Sequence, residues 1–318
     1  MSIVLHDEGE IAAIARSASL ACTILHEMIG AARPGVTPAA LRALAGESLS
    51  RAGAMPPIGI DLPSPRHAPR EDASEGGASS SREPVVLGVH RARNARHFLT
   101  LHAHAACASG RDDACDDEAD AASHLNEPFS AGELVTLDLA LCVDGWHSDM
   151  ARCGVIARSV HDASERRARD PIAFRLVDAA HACTSVAVSA LVPGARWSDV
   201  ARAIRDEAEA CGVRVIDTIP AGHGIGRRLH EPPALMLGAA EDIGGRADFE
   251  LRPGMVLCIE PVVALLQDPA SEEHAPTDHA RTDRSPAELA DRSDCPMVAF
   301  EEAMVAITRA GPRRLDVP

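Results

Sequence analysis

The sequence predicts an α+β fold, with helices packed on one face of an antiparallel sheet. Three observations predict it. The chain opens on an amphipathic helical pattern, GELVTLDLALCVDGWHSDMARCGVIA reads as a β-hairpin, and helices and short strands then follow in separate runs.

The elements follow in order from local signals. Asp7 and Glu10 stand at capping-box spacing, and Ile11, Ile14, Ala18, Ala21, Leu25 and Met28 fall on one face of a helix over 7–29. A Pro-Gly turn at 34–35 leads to Thr37 and Pro38, an N-cap followed by proline at the first helical position, and a second helix runs to about Arg51. From 56 to 123 Pro, Ser, Gly, Ala, His and Asp clusters dominate, as in EDASEGGASSSREP, and this stretch is expected to be a mobile excursion holding one strand-like run at Pro84 to Val89. The hairpin turns at Asp144-Gly145. Asp170-Pro171 starts a helix to about Leu191, Pro193-Gly194 breaks it, and Ser198 is expected to cap a further helix ending at Cys211-Gly212. Short strands are expected near 213–218, 254–262 and 298–308, with a second excursion at 267–296. No fixed-period repeat is present, and residues 1–318 read as a single domain.

Composition narrows the function. At 46% hydrophobic residues the chain supports a sizeable core. Aromatics are only 2% and the formal charge is -16, which argues against stacking platforms for nucleic acid and against anionic lipid surfaces. Every cationic side chain is Arg or His; without Lys, Schiff-base catalysis and a Walker-type phosphate loop are excluded. The nine Cys are scattered and never in C-x-x-C spacing, which fits reduced thiols in a cytosol. No basic segment with an apolar run marks the N-terminus, so a cytoplasmic protein is expected.

The chemistry starts in the hairpin. A two-residue loop at 144–145 pairs 143 with 146, hence 140 with 149 and 138 with 151, so Asp138 and Asp149 share a face as diagonal neighbours about 7–8 Å apart. Asp is depleted from strands, and an acid inside Val135 to Leu141 is heavily desolvated unless a cation compensates. On these residues alone, a solvent-facing pair on the polar side of the hairpin is the alternative. Glu260 ends the apolar run Met255 to Ile259, and Glu301-Glu302 precede Ala303 to Ile307; singly, such strand-end acids are more often exposed than ligating. His223 adds a nitrogen donor in the Gly-rich AGHGIGRRLHEPP, seven residues before His230. An imidazole among carboxylates suits Mn, Fe, Co or Zn, whereas an all-oxygen set points to Mg or Ca.

These motifs, in this order, resemble those of the methionine aminopeptidases: the eleven-residue Asp spacing, the seven-residue His spacing, the Glu-Pro ending of LRPGMVLCIEP and the Glu302 strand. With the opening helices and the 171–218 segment, the resemblance covers about three quarters of the chain. It implies the pita-bread fold, a pseudo-two-fold antiparallel sheet with helices on its outer face. It also implies a site of two divalent ions held by Asp138, Asp149, His223, Glu260 and Glu302, and removal of the initiator methionine from polypeptides. The family's last ligand lies six residues before a Thr and nine before a Gly, which Thr308 and Gly311 register onto Glu302 rather than Glu301. The resemblance makes Glu260 the proton shuttle and His230 a donor to the scissile amide. It also implies a further substrate-facing His fifteen to twenty residues before the first Asp. The nearest is His124, 14 residues before Asp138 but without the family's following Gly-Ile-Pro, with His102 and His104 as alternatives. The implied partner is a peptide or nascent-chain N-terminus, met by a monomer, with neither nucleic acid nor membrane involved. Other readings are an Xaa-Pro peptidase of the same fold, or a binding homologue that lost catalysis.

Overall fold

The first helix starts where its capping residues place it. In the computed structural model, which describes residues 3–55, 87–91, 125–169, 171–238, 248–265 and 297–317, α1 (Glu8–Ala31) opens with the reciprocal Asp7–Glu10 capping box. It buries Ile11, Ile14, Ala18, Ala21, Leu25 and Met28. α2 (Pro38–Ala52) begins after the Thr37 N-cap and stops at Gly53, whose φ of 65° suits the left-handed end of a helix.

The two helices cover a three-stranded sheet of β1 (Leu87–Arg91), β2 (Leu134–Val143) and β3 (Trp146–Val155), ordered β1-β2-β3 and antiparallel throughout. Asp144 and Gly145 both have positive φ, 52° and 75°, as a type I′ turn requires. The turn sets the expected register: Val143 faces Trp146, Ala140 faces Asp149 and Asp138 faces Ala151. Within the strand-like run Pro84 to Val89, the described part, from Leu87, lies in β1.

The second half again sets helices ahead of antiparallel strands. α3 (Val160–Arg169), α4 (Pro171–Ala190) and α5 (Trp197–Ala210) precede β4 (Val213–Val215), β5 (Gly222–Gly224), β6 (Glu231–Ala234), β7 (Val256–Ile259), β8 (Val262–Leu265), β9 (Val298–Phe300), β10 (Ala303–Thr308) and β11 (Gly311–Arg314). Two further antiparallel sheets result, ordered β11-β10-β7-β5-β6 and β4-β8-β9. α4 and α5 bury Leu176, Cys183, Trp197 and Ile204 in a core shared with Leu257, Ile259, Val263 and Val305. By length and composition α4 is apolar enough to cross a membrane, but one side of it is packed into this core. The halves are joined where the Glu302 amide donates to the Ala151 carbonyl at 3.0 Å.

Ser198 does not cap α5. The N-cap is Arg196, and the acceptor comes from elsewhere in the chain: the Asp248 carboxylate receives the Ser198 amide at 3.0 Å. α3 buries none of its residues, so it offers no apolar period to read.

Candidate metal centre

Backbone pairing brings the donors together. On β2 and β3, Asp138 and Asp149 take the diagonal positions that the turn dictates. Across the other sheet, β5 pairs with β7 so that His223 faces Cys258 and Gly222 faces Ile259, one residue before Glu260. That approach depends on a missing side chain: a Cβ on Gly222 would lie 2.1 Å from the Cys258 carbonyl oxygen. The Glu260 amide in turn donates to the Ala221 carbonyl at 2.9 Å.

His223 lies among the carboxylates. Its Nε2 is 3.9 Å from Asp149 Oδ2, 3.9 Å from Glu260 Oε1 and 4.0 Å from Glu302 Oε1. Its Nδ1 stands 2.9 Å from the Gly224 carbonyl, which can only accept, so Nδ1 carries the proton. In the neutral ring Nε2 therefore turns a lone pair toward three carboxylate oxygens, at distances too long for hydrogen bonds. Asp138, Asp149 and Glu302 form a further group whose ligand atoms all lie within 4.8 Å of one another, as do those of Asp149, His223 and His230.

This arrangement is electrostatically poor without a cation. Burial pushes the Asp149 carboxyl well above the usual carboxylate range, and the charges of Asp138 and Glu260 push it further. Burial does the same to Glu302, aided by Asp149, Glu260 and Asp138. Glu302 Oε1 is buried with no hydrogen-bond partner. Buried acids, an orphaned carboxylate oxygen and an imidazole lone pair aimed at one point fit a divalent ion with mixed nitrogen and oxygen ligands.

Glu301 and Glu302 separate as strand alternation demands. Glu302, 1% exposed, faces the donor cluster, while Glu301 turns away to Arg152 Nε at 3.2 Å and His181 Nδ1 at 2.9 Å. The Arg152 guanidinium also donates to the Glu302 carbonyl at 2.6 Å and to Asp316 at 2.7 Å, tying the backbone of Glu302 to β3 and to the C-terminal segment.

His230 is exposed beside the cluster, its ring 4.4 Å from that of His223. His124, His102 and His104 lie outside the described residues. The structure places a different upstream histidine at the centre. His90, on β1, lies opposite Thr136, with Nε2 3.6 Å from Asp138 Oδ2 and its ring 5.7 Å from that of Phe300. It stands 48 residues before Asp138, well outside the fifteen-to-twenty window used in the sequence. The run PVVLGVH carried the signal, since a strand there pairs naturally with β2 and presents one face to Asp138.

Residues 89–308 match the model of metallopeptidase family M24. Methionine aminopeptidase 1 of Mycobacterium tuberculosis is 32% identical over 233 residues, 70% of this chain and 80% of that protein. The methionine aminopeptidase of Aquifex aeolicus is 25% identical over 313 residues, 98% of each. Among solved structures, the methionine aminopeptidase of Thermotoga maritima superposes with a TM-score of 0.65 at 19% identity, covering 100% of both chains.

Proposed function

Because this chain belongs to metallopeptidase family M24 and to the methionine aminopeptidases within it, a metal-dependent exopeptidase with the pita-bread α+β fold, we propose that it removes the initiator methionine from polypeptides, using two divalent ions held by Asp138, Asp149, His223, Glu260 and Glu302. The observation that carries the site is the His223 Nε2 lone pair facing three carboxylates around an unpartnered Glu302 oxygen. When bound, the ions supply Lewis acidity that lowers the pKa of water and polarises a carbonyl. Fe, Mn, Co and Zn suit this donor set.

The chain's own residues do the rest. Glu260 accepts the proton of the attacking water and returns it to the departing amine. His230, exposed beside His223, donates to the scissile amide and stabilises the charge that develops on its oxygen. His90 lies on the Asp138 side and positions the substrate backbone. Gly224 holds the His223 tautomer, and Arg152 holds the backbone of Glu302. We read residues 1–318 as one domain acting as a cytoplasmic monomer. The -16 charge supports peptide N-termini, rather than nucleic acid or membrane, as its partner.

Metal analysis together with hydrolysis of Met-Ala-Ser tests this reading. Free Met released by a metal-loaded enzyme and stopped by chelation is expected. No bound or activating divalent metal and no cleavage would overturn it, while cleavage confined to Xaa-Pro peptides would move the chain to a different peptidase.

A further inference from the structure

The strand that delivers Glu260 also carries a sulfur. Cys258 lies within β7, two residues before Glu260, which follows directly on the end of that strand. It is 0% exposed and opposite His223 in the β5–β7 pairing. Its Sγ, a His223 ring nitrogen and a Glu302 carboxylate oxygen all lie within 4.8 Å of one another. The same Sγ is 3.9 Å from the Asp149 carbonyl oxygen. Glu302 Oε1, buried and without a hydrogen-bond partner, lies in the same group.

We propose that Cys258 is a sixth donor of the metal centre, recruited by thiophilic divalent ions at the His223–Glu302 end. This rests on the metallopeptidase reading but goes beyond its five ligands. A set of one imidazole nitrogen, one thiol sulfur and one carboxylate oxygen is softer than the carboxylates of Asp138 and Asp149, so it selects Zn, Co or Cd over Mn or Mg. On binding, the sulfur–metal bond forms as the S–H bond breaks, and the proton passes to buffer; no oxidant or reductant is needed. The two ends of the site then differ in metal preference: a hard end at the hairpin and a softer one at β7.

Co2+ titration of metal-free enzyme tests this by two separate signals. The visible d–d bands report any bound cobalt, and a near-ultraviolet sulfur-to-cobalt charge-transfer band reports a Co–S bond. Both are expected in the wild type and in Cys153→Ser, a control thiol on β3. In Cys258→Ser the near-ultraviolet band is lost while the visible bands persist, and Cd2+ affinity falls at least about tenfold relative to Mn2+. Visible bands without the sulfur band in the wild type, or a sulfur band that survives in Cys258→Ser, overturn the proposal. Absence of the visible bands overturns the metal-centre reading itself, so the two failures are distinguishable.

Discussion

At the scale of single residues the proposed site is a set of buried acids whose charges oppose one another, which a cation would relieve. Asp149 and Glu302 are both raised by burial first and neighbouring charge second, so neutralising either one relieves the metal-free protein while removing a proposed ligand. Asp149→Asn is therefore expected to abolish turnover and at the same time raise the melting temperature measured in chelator; wild-type activity would refute the site. The histidines separate differently. His230→Ala should lower kcat by about 10²–10³-fold, as loss of an oxyanion donor does, with metal content unchanged. His90→Ala should act on kcat in the same direction with the metal retained; loss of metal in either variant, read by metal analysis, would make that residue a ligand instead. Much of this set was legible because Asp inside an apolar strand, and Glu at the end of one, conflict with local propensity. His90 was not, since it stands 48 residues before Asp138 and no local spacing rule reaches that far; only the pairing of β1 with β2 brings the two together.

At the scale of elements, the strands that matter most were the hardest to read. The α1 face and the I′ hairpin announce themselves by period and turn chemistry, but β5 is Gly-His-Gly, and its strand state comes from pairing with β7 rather than from propensity. α3, with no buried side, has no period to detect, and the α5 cap comes from Asp248, far along the chain. The close β5–β7 approach yields a prediction of its own. Gly222 has φ 140°, and a Cβ there would press on the Cys258 carbonyl at 2.1 Å and on Leu235 at 2.9 Å. Gly222→Ala should cost about 2–6 kcal/mol from strained backbone and overpacking together. Because relief comes by parting β5 from β7, metal affinity should fall in step with the urea midpoint. A variant that loses stability but binds metal as the wild type does would show that the pairing does not set the distance between His223 and Glu260.

At the scale of the whole molecule, the proposed site links folding, protonation and metal binding through the same carboxyls. Asp149 and Glu302 have folded-state pKa values above their ordinary ones, so the stability they contribute is present below the ordinary carboxylate range and is lost as pH rises toward the raised values. Asp316 works in the opposite sense: burial opposes its ionisation, but hydrogen bonds from Arg314 and Arg152 hold it below its ordinary value, so its contribution is present above the carboxylate range and is lost on acidification. The raw pH profile mixes both signs. Comparison of wild type with Glu302→Gln in chelator removes the shared Asp316 part, and the variant's advantage in melting temperature should widen as pH rises from the carboxylate range toward neutrality. Saturating metal should reverse the order, because the deprotonated ligands are the binding form and only the wild type holds the full set. At a free ion concentration of about 100 times its Kd the wild type should gain about 2.7 kcal/mol. A chelated wild type that gains on Glu302→Gln as pH rises would mean that the buried carboxyls are already compensated from within the chain, and the electrostatic case for a cation at this centre would fall with it.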